Sequence, residues 1–244
     1  MKKEYFIILD TETANSLEQP LPYDLGWVVT DRQGNIYESR SYVIFEIFYG
    51  ERDLMETAYY AEKLPQYHAD IKAGRRKCTS IWSVRKAFRE DMERYNIKKV
   101  GAYNMFFDMK ALNNDMRYIT KSFARWFFPY GTEFFCIWNM ACTCLMNRPT
   151  FIKFAEKNGF VSEKGNIQTS AEICYRYITK DAEFIESHTG LEDVLIETAI
   201  MAHCYKQHKP FESKPNPGCW QVVQKAKKNK DGKNRRPYSP KRAR

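Results

Sequence analysis

The first apolar run of the chain, residues 5–9, leads directly into two acidic residues, Asp10 and Glu12. A short, uninterrupted apolar run is typical of a strand that is buried on both faces, and such strands lie in the middle of sheets covered by helices on both sides. We therefore expect an α/β fold in which acidic residues follow a central strand.

The composition supplies enough material for such a core. Of the 244 residues, 43% are apolar and 15% are aromatic, which excludes a disordered chain and a mini-scaffold. The mean hydropathy of -0.62 and the lack of an apolar run of about 20 residues argue against a membrane protein. Because the first apolar run is short and ends in a carboxylate, we expect no signal peptide and a cytoplasmic location, in a bacterium or a host cell.

Positive charge is concentrated at the carboxyl-terminal end. The chain carries a net charge of +9, and residues 205–244 contain thirteen Lys or Arg but only two acids. Such a distribution is typical of a folded domain followed by a solvated tail. We predict a folded domain over residues 1–208 and a flexible basic tail over residues 209–244, disordered from Lys225 to Arg244. The tail either adds affinity for phosphates or only improves solubility.

Strand and turn signals dominate the first part of the chain. Residues 24–30 and 36–47 have strand character and are joined by turn residues at 31–35. Together with the first strand they predict an antiparallel meander. Residues 98–103 and 133–138 predict two more strands, so we expect a mixed sheet of five strands.

Helical spacing of apolar residues marks the segments between and after these strands. The clearest example is residues 83–95, where Ser83 is the predicted helix cap. Residues 107–116, 169–177 and 191–208 also predict helices. Strands that alternate with helices indicate helical layers that flank the sheet.

Four acidic residues are spaced so that they can share one site. Asp10 and Glu12 are two residues apart, so their side chains point to the same side of an extended chain. If the strand at 98–103 runs parallel to the first strand, Asp108 reaches the same carboxyl edge, where α/β sheets bind their ligands. Asp193 lies in the first turn of the last helix. Acids also occur at strand ends and in first helical turns as turn, cap and dipole residues.

A cluster of this kind implies bound metal, because several carboxylates within a few ångströms cannot all stay ionised without cations. Oxygen ligands favour Mg²⁺ or Mn²⁺, and two such ions would stabilise the attacking and the leaving oxygen of a phosphodiester. His188, five residues before Asp193, would then act as general base. We predict structural roles for the other histidines, His68, His203 and His208.

The seven cysteines allow two interpretations. Cys136, Cys142 and Cys144 include a Cys-x-Cys pair, which occurs in zinc sites, but their spacing fits neither a finger nor a ribbon. Buried free thiols in a reducing compartment are the interpretation that we favour.

Three segments resemble the exonuclease motifs of the DEDDh superfamily, the ribonuclease-H-like family that includes proofreading subunits of bacterial DNA polymerases, ribonuclease T and many phage exonucleases. The matching segments are Ile7-Ile8-Leu9-Asp10-Thr11-Glu12-Thr13, Asn104-Met105-Phe106-Phe107-Asp108 and His188-Thr189-Gly190-Leu191-Glu192-Asp193. The resemblance covers residues 4–206. The sister DEDDy branch would have Tyr four residues before the last acid, where Thr189 stands in this chain.

The resemblance implies a role for each matching residue. Asp10 and Glu12 would ligate metal, with Asp10 bridging two divalent cations. Asp108 would hold the second ion largely through water, and Asp193 would complete the ligand set. His188 would be the general base. The implied fold is a ribonuclease-H-like sheet flanked by helices.

Residues beside the motifs would form the pocket for the terminal nucleotide. The resemblance implies Thr11, Thr13, Asn104 and Phe107 as substrate-binding residues. Phe106 or Phe107 would stack on a base, with core packing as an equal alternative. Glu192 would either compete for metal or lie on the helix surface, which we favour. The segments 48–96 and 108–188 exceed the length of a minimal family member and would influence substrate choice.

The sequence therefore predicts a metal-dependent 3'-5' exonuclease that releases nucleoside monophosphates from single-stranded ends, with DNA favoured. The direction and the end preference are implied by the resemblance alone. One alternative is an exoribonuclease that trims RNA ends. Another is a nucleic-acid-binding adaptor that keeps the fold without activity. A partner in replication or repair is compatible with these functions, and the oligomeric state stays open.

Overall fold

Six strands form one mixed sheet in the computed structural model, which describes residues 3–225. The strands are β1 Phe6–Ala14, β2 Leu21–Thr30, β3 Ile36–Ile44, β4 Lys77–Thr79, β5 Lys99–Ala102 and β6 Glu133–Cys136. Their order across the sheet is β4-β3-β2-β1-β5-β6. β1, β2 and β3 form the predicted antiparallel meander, whereas β5 runs parallel to β1 and to β6, and β4 runs parallel to β3.

Helices cover both faces of this sheet. They are α1 Phe45–Phe48, α2 Arg52–Met55, α3 Leu64–Lys72, α4 Ile81–Arg94, α5 Met105–Thr120, α6 Ile137–Ala141, α7 Pro149–Asn158, α8 Ala171–Thr179 and α9 Gly190–Lys206. A π-helical turn, Cys142–Met146, continues α6. Within residues 3–225, no helix is both long and apolar enough to span a membrane.

The apolar run of β1 is buried on both faces, as predicted. Ile7 and Leu9 pack into a core with α4 and α5, and Phe6 and Ile8 pack into a second core with α6 to α9. Successive side chains of a strand point to opposite faces, so a strand between two helical layers must be apolar at every position. The α/β fold class predicted from this run is confirmed.

The sheet has one strand more than the five predicted, because β4 lies within a region expected to be helical. Its three residues carry no periodic signal, and the strand exists through its pairing with residues 42–44 of β3.

β1 is also longer than its apolar run. Asp10 pairs with Gly26 and Glu12 with Asp24 across the β1/β2 ladder, so both acids lie inside the strand rather than after its end.

Two strands end earlier than predicted because a helix begins at the next residue. β3 ends at Ile44 instead of residue 47, and β6 ends at Cys136 instead of residue 138. Ser80, not Ser83, caps α4, because the Ser80 hydroxyl accepts a hydrogen bond from the Ser83 backbone N–H at 3.3 Å. Ser83 therefore lies inside the first turn of the helix.

The first part of the predicted tail packs on the folded body. The carbonyl of Ser213 accepts a hydrogen bond from the backbone N–H of Cys136, and the carbonyl of Lys214 accepts one from the Asn139 side chain. Cys219 is fully buried. Residues 209–225 thus extend the folded body past the predicted boundary at residue 208. The predicted disorder beyond Lys225 lies outside the described residues.

Candidate functional site

Three acidic side chains meet where the carboxyl end of β1 approaches the start of α9. Asp10, Glu12 and Asp193 each offer a carboxylate oxygen, and these oxygens lie within 4.8 Å of one another. Asp10 and Glu12 share one side of β1 because they are two residues apart in a strand. Among residues 3–225, this is the one group of three or more acidic, histidine or cysteine side chains arranged to hold a metal ion.

A close helix-strand contact brings Asp193 to β1. A Cβ atom added to Gly26 of β2 would lie 2.3 Å from the backbone nitrogen of Leu191, so only glycine permits this approach. The backbone N–H of Gly190 donates a hydrogen bond to the fully buried Asp24 carboxylate at 3.0 Å. The Gly190-Leu191 start of α9 is therefore held directly against the strand that neighbours β1.

Asp108 reaches the same edge of the sheet because β5 runs parallel to β1, which is the condition under which the sequence predicted this position. The residue lies in the first turn of α5 and is almost fully buried. The Thr11 hydroxyl donates a 2.8 Å hydrogen bond to the Asp108 carboxylate. Thr11 lines the cleft, but its hydroxyl is engaged in orienting this carboxylate.

His188 lies on the loop before α9 and faces the cleft that contains the acids. Its backbone adopts a left-handed conformation with φ of 55°. Its ring stacks on Tyr60, with ring centroids 4.1 Å apart and planes inclined by 11°. Burial, and then the nearby Lys63 charge, lower the pKa of His188. The imidazole is therefore neutral near pH 7 and able to accept a proton.

The pKa values of the clustered acids are raised. Burial, followed by repulsion from Asp193, raises the pKa of Glu12 to about 9. Burial also raises the pKa values of Asp108 and Asp193 to about 7. Burial and the charge of Glu197 raise the pKa of Asp10. Within residues 3–225, none of these four carboxylates forms an ion pair, and an all-oxygen donor set of this kind suits hard divalent cations.

Two further acids, which were not identified from the sequence, line the cleft. Glu197 is buried, and its carboxylate accepts a 3.0 Å hydrogen bond from the backbone N–H of Tyr103. Burial raises the pKa of Glu186 to about 8, with a further contribution from Asp193. Glu197 follows Asp193 by four residues, so helical spacing was a usable signal for it. Glu186 lies on a loop and had no such signal.

The cleft encloses about 290 Å³ and carries aromatic side chains beside the acids. All four residues predicted to bind substrate line it: Thr11, Thr13, Asn104 and Phe107. Phe107 is half-buried and faces the cleft, whereas the more exposed Phe106 is not part of its wall. Leu17, Tyr59 and Tyr60 add an apolar rim that sequence patterns did not indicate.

Glu192 does not join the acidic cluster. Its carboxylate forms an ion pair with Arg76 at 3.0 Å and accepts a hydrogen bond from the Thr189 hydroxyl at 2.6 Å. The favoured interpretation of a helix-surface acid agrees with this geometry.

All seven cysteines are free thiols, and six of them are buried, including Cys136, Cys142 and Cys144. These three thiols form no metal-binding group in the part of the chain that the structure describes.

The fold and the cleft define a class of protein. The sheet is mixed and flanked by helices, in the ribonuclease-H-like manner, with buried acids at the carboxyl edge of β1 and at the first turns of α5 and α9. This is the arrangement that the three sequence motifs predict.

Exonuclease I of E. coli has this fold. Its zinc-bound complex with single-stranded DNA matches with a TM-score of 0.53 and 13% identity, over 86% of this chain and 42% of exonuclease I. Its complex with a 5cy-dT13 oligonucleotide matches with a TM-score of 0.51 and 12% identity, over 90% of this chain and 42% of the other. The chain thus spans about two fifths of the length of exonuclease I.

The predicted fold, a mixed sheet flanked by helices in the ribonuclease-H-like manner, is thereby confirmed. The sequence matches no protein-family model and no curated protein. The roles of the individual site residues remain predictions.

Proposed function

We propose that this protein is a metal-dependent 3'-5' exonuclease that hydrolyses phosphodiester bonds at single-stranded nucleic-acid ends, with DNA favoured. The observation that carries the proposal is the meeting of Asp10, Glu12 and Asp193 within 4.8 Å in a cleft that also contains Asp108 and His188. The fold shared with exonuclease I, which has been solved in complexes with single-stranded DNA, supports the choice of substrate. The 3'-5' direction comes from the motif resemblance.

The proposed metal ligands are Asp10, Glu12, Asp108 and Asp193, which would hold two divalent cations, Mg²⁺ or Mn²⁺. The raised pKa values of these carboxylates support this assignment, since cations would compensate the charges that burial disfavours. When bound, the cations would stabilise negative charge on the attacking and leaving oxygens of the phosphodiester. The Thr11 hydroxyl keeps the Asp108 carboxylate oriented.

His188 is the proposed general base. Its lowered pKa keeps the imidazole neutral near pH 7, so the ring can take a proton from the attacking water. The stack on Tyr60 limits the orientations of the ring. His188 would then pass the proton to solvent, because the loop that carries it borders the open cleft.

The walls of the cleft suit an unpaired nucleotide. Tyr59 and Phe107 expose ring surface beside the acids, and aromatic rings bind bases of any sequence by stacking. Thr13 and Asn104 offer polar groups at the same wall. A base in a duplex would have to leave its stack to reach such rings, so a single-stranded end is the favoured substrate. All seven cysteines are free thiols, which is the state expected of a protein that acts in the reducing cytoplasm.

A labelled-oligonucleotide assay tests the proposal. Single-stranded DNA and RNA with a 5' label are incubated with Mg²⁺, with Mn²⁺ or with EDTA, and the products are resolved by length. Wild type is expected to give a metal-dependent ladder that shortens from the 3' end, whereas Asp10→Ala gives none. Asp53→Ala, which replaces an exposed aspartate of α2, is the matched control and should behave as wild type.

The assay also distinguishes the alternatives. A ladder from RNA alone would indicate an exoribonuclease. Oligonucleotides that bind but stay intact under every metal condition would contradict the proposal and support a non-catalytic adaptor.

A further inference from the structure

A second, larger pocket is bordered by α4, α5 and the start of β6. We call it the α4–α5 pocket; it encloses about 470 Å³ and is lined by residues of α4, α5 and the loop that precedes β6. Three of its aromatic side chains face solvent: Trp82 is 46% exposed, Trp126 is 53% exposed and Tyr130 is fully exposed. Large aromatic rings grouped around an open pocket indicate a binding surface.

The charge at this pocket is positive. Arg85 and Arg125 line it, and burial, followed by the charges of the nearby Arg89 and Arg125, lowers the pKa of Arg85. Within residues 3–225, the ion pairs of the structure involve none of these three arginines. The guanidinium of Arg117 also lies 4.5 Å from the centre of the Trp126 ring. The pocket therefore suits a ligand that combines negative charge with flat apolar groups.

One helix connects the α4–α5 pocket to the acidic cleft. Asp108, in the first turn of α5, lines the cleft, and Met109, Asn113 and Met116 of the same helix line the pocket. At a rise of 1.5 Å per residue, Met116 lies about 12 Å along the helix axis from Asp108. The Asn113 side chain accepts a 3.0 Å hydrogen bond from the backbone N–H of Phe127 and so holds the loop that forms the pocket wall.

We propose that the α4–α5 pocket binds a single-stranded nucleic acid upstream of the 3' end that occupies the cleft. Bases would stack on Trp126 and Trp82, and phosphates would contact Arg125. Arg85 donates one hydrogen bond to the Phe127 carbonyl, at 2.7 Å, and neither it nor Arg125 forms an ion pair within residues 3–225. Stacking rings combined with such guanidinium groups suit every base and the backbone, which is the chemistry of sequence-independent single-strand binding. This inference rests on the proposed function, because it assumes that a single strand is the substrate.

Oligonucleotide binding in EDTA tests the inference without catalysis. Fluorescence anisotropy compares a labelled dinucleotide, which is too short to reach from the cleft to the α4–α5 pocket, with a labelled oligonucleotide of about twenty nucleotides. Trp126→Ala and Arg125→Ala are each expected to weaken binding of the long oligonucleotide about tenfold and to leave the short one unchanged. Trp126→Phe keeps a ring and should bind almost as wild type does. Lys153→Ala, on the exposed face of α7, is the charge control.

Each result has a definite meaning. Equal binding of the long oligonucleotide by wild type and Trp126→Ala would overturn the inference, and so would equal weakening of the long and the short one, since the effect would then lie in the cleft. A failure of the proposed function looks different: wild type would degrade neither oligonucleotide with Mg²⁺ or Mn²⁺. Circular dichroism spectra verify that the variants are folded.

Discussion

At the scale of single residues, the position of His188 depends on a residue far away in the sequence. Tyr60 lies between α2 and α3, and its ring covers the imidazole face at 4.1 Å. The neighbouring Tyr59 donates its backbone N–H to the carbonyl of Thr13 at the end of β1, which ties this segment to the strand that carries Asp10. Tyr59 and Tyr60 belong to the segment 48–96, which the sequence showed only to exceed the length of a minimal family member. This segment thus supplies a wall of the site.

Replacement of Tyr60 tests this contact. Tyr60→Ala is expected to lower kcat at least about tenfold with little change in KM, because a general base that moves freely spends less time in the reactive geometry. Tyr60→Phe keeps the stack and should retain almost full activity. NMR of the metal-free protein provides an independent measurement, since the ring-current shift of the His188 protons should vanish in Tyr60→Ala alone. Wild-type kcat together with an unchanged His188 signal in Tyr60→Ala would contradict the assigned role.

At the scale of secondary-structure elements, the site depends on how closely α9 approaches β2. Gly26 and Gly190 allow backbone to meet backbone, and Asp24 holds the first turn of the helix. The motif that contains Gly190 was recognised from the sequence. Gly26 was predicted only as part of a strand, since a glycine within a strand does not reveal which element approaches it.

The substitution Gly26→Ala measures the importance of this contact. The added Cβ would lie 2.3 Å from the backbone of α9, so the helix must shift, with a loss of about 2 kcal/mol or more in the free energy of unfolding. The rate of hydrolysis should also fall, because Asp193 and His188 move with the helix. The control is Gly218→Ala, whose added Cβ would lie 3.5 Å from its nearest neighbour. Urea unfolding compares the two, and equal stability of both variants would refute the proposed tight packing.

Element type was predicted best where the chain has a strong repeating pattern. The buried run of β1 and the amphipathic spacing of α4 were both recognised. β4 and α6 were missed, because a strand of three residues is too short to show a period, and the mostly apolar stretch that begins with α6 has no period that separates strand from helix.

At the scale of the whole molecule, the acidic cleft makes the stability of the folded protein depend on pH. The ordinary pKa of Glu12 is 4.5, and in the folded protein it is about 9. Between these pH values the unfolded chain releases a proton that the folded protein retains. The contribution of Glu12 to stability is therefore fully present below pH 4.5 and is lost as the pH rises towards 9.

Thermal unfolding of Glu12→Gln checks this linkage. In EDTA, the Tm of wild type is expected to fall more steeply with rising pH than that of the variant, so that Glu12→Gln is the more stable protein near pH 8. Addition of Mg²⁺ or Mn²⁺ should raise the Tm of wild type, because the ions bind the folded state, and should have much less effect on the variant. Glu56→Gln, at an exposed position, is the control. Parallel pH profiles of wild type and Glu12→Gln would contradict the assignment.

The amino-acid sequence was sufficient to predict the α/β class and the central position of β1. It also identified five residues that line the cleft: Asp10, Glu12, Asp108, His188 and Asp193. The uninterrupted apolar run of β1 and the order of the polar motifs are local properties of the chain, so they can be read without knowledge of the tertiary structure. The six-stranded sheet, Glu186 and Glu197 in the cleft, the Tyr60 stack and the α4–α5 pocket emerged only in three dimensions. Each depends on distances between segments that are remote in the chain, and those distances are set by how the helices pack on the sheet.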